Sequence, residues 1–154
     1  MIHSSATVQI DGFCDLPKDA LVSDVILSLG SNADSVRAFY IAKQALDQLG
    51  ELMMSDRIIG KDFTGKTDKI YHNACASLRC HNPASIVQLS QNFKQIERLC
   101  GRSADNTIKQ YVPMDLDILA VRINKCWYIH TKRLPLKAHE RAGLSQVAQW
   151  LLSY

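Results

Sequence analysis

Long apolar runs are missing from this chain: no stretch approaches the roughly 18 residues that a membrane span needs. No secretory leader is expected either, since Asp11 and Asp15 fall where such a leader would be apolar. Cysteine is sparse and irregular. The five thiols, Cys14, Cys75, Cys80, Cys100 and Cys126, are odd in number and contain no C-x-x-C pair, which excludes a closed disulfide framework and a zinc ribbon. Reduced thiols in a cytoplasm are expected. Charge of one sign is also scarce: 18 Lys and Arg stand against 15 Asp and Glu, a net +3 that draws anionic ligands modestly and does not call for nucleic acid as partner. With 4 prolines and 7 glycines there is no linker-like tract, and no repeat divides the chain. The five histidines show no metal-ligand spacing.

What is present is 47% hydrophobic residue in 154 positions, the size of one domain. At that length roughly 70% of the unfolded chain's surface can be buried, without a staple. Residues 1–20 read as an N-terminal extension that adds a strand at Thr7 to Ile10, and residues 21–154 as the domain proper. Val25, Ile26, Leu27 and Leu29 form a buried strand that ends in the turn Gly30, Ser31, Asn32. Val36, Phe39, Ala42, Leu46 and Leu49 then repeat at helical spacing, with Asp34 as cap and Gly50 in the left-handed C-cap position. A second strand is expected over Glu51 to Ile59, a polar loop over Gly60 to Lys69, and a third strand over Ile70 to Arg79 with Tyr71, Asn73, Cys75 and Ser77 on one face. Asn82 and Pro83 open a second helix carrying Ile86, Leu89, Phe93, Ile96 and Cys100 and closed by Gly101. After a polar loop from Arg102 to Tyr111 come a strand at Met114 to Val121, a hairpin partner at Lys125 to Ile129, and a short closing helix over Leu144 to Leu152. The β-α-β-β-α-β order is that of a ferredoxin-like α+β sandwich, two layers with helices on one face of an antiparallel sheet.

Three features could carry chemistry. In Met114-Asp-Leu-Asp-Ile-Leu119, strand geometry puts Asp115 and Asp117 on one face, about 6.6 Å apart. Two such carboxylates can hold hard divalent cations together with phosphate oxygens, or can simply face water. Gly60 to Thr67 satisfies the G-x-x-x-x-G-K-[ST] pattern of a phosphate-binding loop, but that loop needs a helix starting at Lys66, and the residues after it read as a strand. A basic loop able to touch phosphate is the simpler expectation. Glu97, Arg98, Gly101 and Arg102 end the second helix, and Lys132, Arg133, Lys137 and Arg141 make the segment before the closing helix basic; both suit a polyphosphate or an ordinary surface.

Taken in order, Leu27 to Asn32, Tyr71 to Ala74, Ile96 to Arg98, Gly101 with Arg102, Met114 to Ile118 and His139 to Ala142 resemble the 6-hydroxymethyl-7,8-dihydropterin pyrophosphokinase family of folate synthesis over about residues 24 to 144. The resemblance implies a ferredoxin-like fold and transfer of diphosphate from ATP to the hydroxymethyl of a reduced pterin. It implies two Mg²⁺ held by Asp115 and Asp117, with Arg102 also catalytic. Tyr71 and Asn73 would bind the pterin, while Glu97, Arg133 and Arg141 would bind the nucleotide. Partners would be these small molecules, with no nucleic acid and no membrane. The sequence departs from the family where a Trp-Gly-Pro-Arg run is usual and Lys109, Gln110, Tyr111, Val112 stand instead. A Val-Pro-His stretch reads Leu134, Pro135, Leu136, and no Phe lies near Gly143 and Leu144, although Phe63 could supply a ring and Lys66 or Lys109 a charge. A relative that binds nucleotide or pterin without turnover is therefore the alternative.

Overall fold

A computed structural model describes residues 6–154; Met1 to Ser5, the start of the expected extension, lie outside the described residues. The strands are β1 (Ala6–Ile10), β2 (Val22–Ser31), β3 (Gly50–Met54), β4 (Ile58–Lys61), β5 (Ile70–Ala84), β6 (Asp115–Ile123) and β7 (Cys126–His130). The helices are α1 (Ser35–Leu49), α2 (Ile86–Leu99), α3 (Ala104–Ile108) and α4 (Ala138–Val147). The strands form one open sheet in the order β1-β7-β6-β2-β5-β3, with β4 also on β5; among the described residues only β1 joins its neighbour in parallel. The class is α+β, as the element order predicts.

Alternation along β2 sorts the core into two layers. Val25, Leu27 and Leu29 pack with Phe39 and Leu46 of α1 and with Leu89, Phe93 and Ile96 of α2. Ile26 points the other way and packs with Cys75, Leu119, Trp127 and, from α4 and the chain's end, Leu144 and Leu151. α1 and α2 thus cover one face as expected, and α4 adds a cover on the opposite one. A strand buried on both sides reads as a continuous apolar run, which is why the segment from Val25 to Leu29 shows no alternation of its own.

Several boundaries differ from the sequence reading. The expected second strand is two, because at Ser55 the side-chain hydroxyl, 2.9 Å away, takes the Cys75 N–H and interrupts the ladder. Asn82 and Pro83 do not open α2: they lie in β5, which runs on to pair Ala84 with Val22. Ser85 is the cap, accepting from the Gln88 N–H at 3.1 Å, a Ser-x-x-Gln signal the Asn-Pro pair obscured. Asp34 occupies the cap position of α1 without a side-chain cap bond. Gly50 is extended rather than left-handed, and glycine is needed there because a Cβ would fall on the Arg79 carbonyl oxygen of β5. The closing helix starts at Ala138, ahead of the apolar residues that suggested it, and gives way to a 3₁₀ turn over Gln149–Ser153. Its first turns pack through buried Glu140 and Gly143, which leave no apolar period to read.

Candidate active site

The register of three central strands builds a row of functional residues. Gly30 of β2 lies opposite Asn73 of β5 on one side and Asp115 of β6 on the other; Ser28 likewise lies between Cys75 and Asp117. Gly30 leaves the row open, since a Cβ there would stand 3.1 Å from Asn73 Oδ1. Alternation puts Asp115, Asp117 and Leu119 on the α4 face and Leu116 in the other layer; a register shift between Ile26 and Leu27 then marks a bulge in β6 at Leu119, after which Ala120 also faces the α4 side and Val121 and Ile123 face the α1/α2 layer. Beyond β2 the turn is fixed by Asn32: its N–H donates to Val112 O at 2.8 Å, its Nδ2 to Gln110 O at 2.8 Å, and its Oδ1 accepts from the Val112 N–H at 2.6 Å.

The end of α2 brings the charged partners. Gly101, at φ +105°, closes a Schellman motif in which the Arg102 N–H reaches Glu97 O at 3.1 Å and the Gly101 N–H reaches Arg98 O at 2.9 Å. That wrap sets the side chains of Glu97 and Arg102 against each other. Arg102 Nη1 donates to Asp115 Oδ1 at 2.8 Å and to Glu97 Oε2 at 3.2 Å, and the same Glu97 oxygen accepts the Leu116 N–H at 2.8 Å. Arg133, in the 3₁₀ turn Thr131–Arg133 after β7, donates from Nη2 to Asp117 Oδ1 at 3.0 Å. Burial, then the charge of Asp115, pushes the Asp117 carboxyl up to about 6 against the pull of Arg133. Burial also raises Glu97. Burial opposes the charge on Arg102, but Asp115 and Glu97 outweigh it and its pKa rises.

Asp115, Asp117, Arg102 and Thr107 are common to the walls of two clefts. The larger, about 710 Å³, is lined by α2, α3 and β6 residues including Lys94, Glu97 and Arg98, with Arg133, His130 and Phe13. The smaller, about 440 Å³, holds Tyr71, Asn73, Ser28 and Gly30 on its sheet side, and Lys61, Phe63, Lys66, Lys137 and His139 around them. Both volumes suit small-molecule ligands. Burial raises the Tyr71 phenol, the Asp62 charge adding to it.

The family model of 7,8-dihydro-6-hydroxymethylpterin-pyrophosphokinase (HPPK) matches residues 26–147, most of the chain. The chain belongs to the HPPK family. HPPK enzymes are pyrophosphokinases, transferases of folate biosynthesis that use ATP and Mg²⁺. No curated protein is similar enough to the chain to count as a match.

Of the HPPK residues expected from the sequence, Tyr71, Asn73, Glu97, Arg102, Asp115, Asp117 and Arg133 line the two clefts. Arg141 does not join them: it is exposed on α4, and its Nη2 donates to Leu152 O at 3.3 Å. The phosphate-loop pattern also fails. Residues 62–69 form an irregular loop with a turn at Phe63 and Thr64 and no helix at Lys66, organised by Asp62 Oδ1, which accepts from the Thr64 N–H at 2.9 Å and its hydroxyl at 2.7 Å. The same bonds lower the Asp62 pKa. Lys66 nonetheless lines the smaller cleft, as does Phe63, whose ring sits 5.6 Å from His139 with Lys137 Nζ 5.0 Å from its centre. Lys109 lines neither cleft. Leu136, where the family pattern has a histidine, is core. The expected polar loop after Arg102 contains α3, capped by Ser103, which accepts from the Asn106 N–H at 3.1 Å.

The cleft residues Phe13, His130 and the pair Lys137 and His139 come from three different segments, the 3₁₀ turn after β1, the end of β7 and the start of α4, so spacing alone does not bring them together. The basic run containing Lys137 and the HPPK resemblance around His139 were the available signals. For Mg²⁺, the donor chemistry fits. Asp115 and Asp117 are two hard oxygen donors on one strand face, and Asp117, raised by burial first and by the charge of Asp115 second, is a carboxylate that a cation would favour in its charged form. Among the described residues no cluster of three or more His, Cys, Asp or Glu could hold a metal ion, so phosphate oxygens and water would complete the shell.

Proposed function

We propose that the chain transfers the β,γ-diphosphate of ATP to the hydroxymethyl group of 6-hydroxymethyl-7,8-dihydropterin. The single observation that carries this reading is the position of Asp115 and Asp117 on the wall shared by two clefts of unlike character. A donor in the larger and an acceptor in the smaller would meet at that wall. The pterin hydroxyl oxygen attacks the β-phosphorus, the bond from that phosphorus to the α,β-bridging oxygen breaks, AMP leaves with that oxygen, and the hydroxyl proton passes to solvent. Asp115 and Asp117 would hold Mg²⁺, two ions in this reading, and the chemistry it would supply is charge neutralisation on the triphosphate and polarisation of the hydroxyl.

The chain's own residues orient the reaction. Asn73 offers an amide to the pterin edge and Tyr71 a ring to its face, with Phe63 on the loop opposite. Arg133 and Arg102 bring positive charge to the transferring phosphates, and Glu97 positions Arg102. The reading includes a cytoplasmic setting and small-molecule partners, ATP and reduced pterin. Arg141 has no part in it.

The second reading, a relative that binds nucleotide or pterin without turnover, is favoured by residues 109–112. No arginine stands there, and Lys69 Nζ covers the Tyr111 ring at 3.9 Å, away from both clefts. Calorimetry with Mg²⁺ and a non-hydrolysable ATP analogue, with and without the pterin, followed by an AMP-release assay with ATP, separates the two. Binding of both ligands with AMP release is expected. Binding without release would establish the second reading, and binding of neither ligand would overturn both.

A further inference from the structure

We propose that Phe13, which precedes the region matched by the HPPK family model, is a nucleobase-binding residue of the larger cleft. The inference rests on the reading of that cleft as the nucleotide site. β1 runs parallel to β7 from Ala6 opposite Cys126 to Ile10 opposite His130. Just beyond that last pair the chain makes a 3₁₀ turn over Phe13–Asp15, closed by the Asp15 N–H on Gly12 O at 3.0 Å and the Leu16 N–H on Phe13 O at 3.1 Å. The turn sets the Phe13 ring edge-to-face with His130, centroids 5.1 Å apart at 89°. His130 is itself held, its Nδ1 accepting the Lys132 N–H at 3.2 Å. Phe13 and Leu16 pack on the α1/α2 core, so the ring is supported from strand, histidine and core while remaining part of the cleft wall.

The lining of this cleft has the two halves of a nucleoside triphosphate. Arg102, Arg133 and the metal-type carboxylates suit the phosphates. The apolar wall is Phe13, Phe93, Ala104, Leu116 and Ile118, and Phe93 is only 3% exposed, which leaves the half-buried Phe13, with the His130 ring beside it, as the aromatic surface a flat heterocycle can reach. Both halves hang on one strand end. β7 pairs with the strand that delivers Phe13 and continues into the turn that delivers Arg133 to Asp117. An aromatic ring under a base contributes about ten- to hundredfold in affinity.

The test is calorimetry on the full chain with Mg²⁺, comparing a non-hydrolysable ATP analogue with inorganic tripolyphosphate for wild type, Phe13→Ala and Phe13→Leu. Phe13→Ala is expected to weaken the analogue ten- to hundredfold and to leave tripolyphosphate within twofold. Phe13→Leu keeps an apolar side chain in the core and guards against a folding defect; it should retain the wild-type melting temperature and lose analogue affinity selectively. Unchanged analogue affinity in both variants, or parallel loss of both ligands in Phe13→Leu, would overturn the proposal. So would a wild type that binds the two ligands equally, with the nucleotide-cleft reading intact; a wild type that binds neither would sink that reading itself.

Discussion

Glu97 serves two donors with one oxygen, holding Arg102 toward Asp115 and fixing the Leu116 N–H at the start of β6. Removing it leaves the buried Leu116 N–H without this acceptor, at about 1–3 kcal/mol for such an unpaired group, and takes one acceptor from Arg102, whose bond to Asp115 remains. Glu97→Ala should therefore lower both stability and nucleotide affinity, while Glu97→Gln, which keeps an acceptor for Leu116, should recover most of the stability and little of the affinity; chemical denaturation and calorimetry on the two variants check this. Asp117→Ala should abolish Mg²⁺-dependent nucleotide binding, and unchanged affinity in that variant would rule out the carboxylate pair as the metal site. On the proposed reaction, Arg102→Ala should cost about a hundredfold in turnover, measured as AMP release, because it would remove a preorganised donor at developing charge.

Two glycines, one just past α2 and one inside α4, carry the geometry of the clefts. Gly101 holds the left-handed turn that folds Arg102 back on Glu97, and Gly143 lets α4 lie against β5: a Cβ there would stand 2.8 Å from Cys75 Sγ and 3.0 Å from Cys75 N. Gly101→Ala forces a side chain into positive φ and should destabilise by about 1 kcal/mol or more while weakening nucleotide binding. Gly143→Ala should cost about 1–3 kcal/mol through overpacking, roughly 2–10 °C in melting temperature for a domain of this size. Elements with a strong apolar period, α1 and α2, were legible in the sequence, as was the strand of the carboxylates. α4 was legible only in its last turns, because Glu140 and Gly143 occupy its inner face. The split between β3 and β4 was not legible at all, because a bond from the Ser55 side chain to the backbone of another strand creates it.

Across the whole molecule, burial keeps two thiols protonated: Cys75 is pushed up to about 12 and Cys100 to about 11 from an ordinary 9.0, burial being the main cause in each. Their folded values lie above the unfolded one, so the stability they contribute is complete below about pH 9 and is lost as pH rises through 11 to 12. Denaturation midpoints should accordingly fall above pH 9, and less steeply in Cys75→Ala. A thiol reagent near neutral pH should modify exposed Cys14 first and reach Cys75 and Cys100 only on unfolding. By itself the sequence determined the α+β class, the two long helices, the one-faced carboxylate pair and the order of HPPK-like segments, all of which follow from periodicity, local caps and short motifs. Only the tertiary structure decided that α4 covers the second face, that Asp115 and Asp117 border two clefts, that Arg141 stands apart and that Phe13 reaches the larger cleft. Those outcomes depend on strand register and on contacts between segments far apart in the chain, where a shift of one residue would turn each side chain to the opposite face.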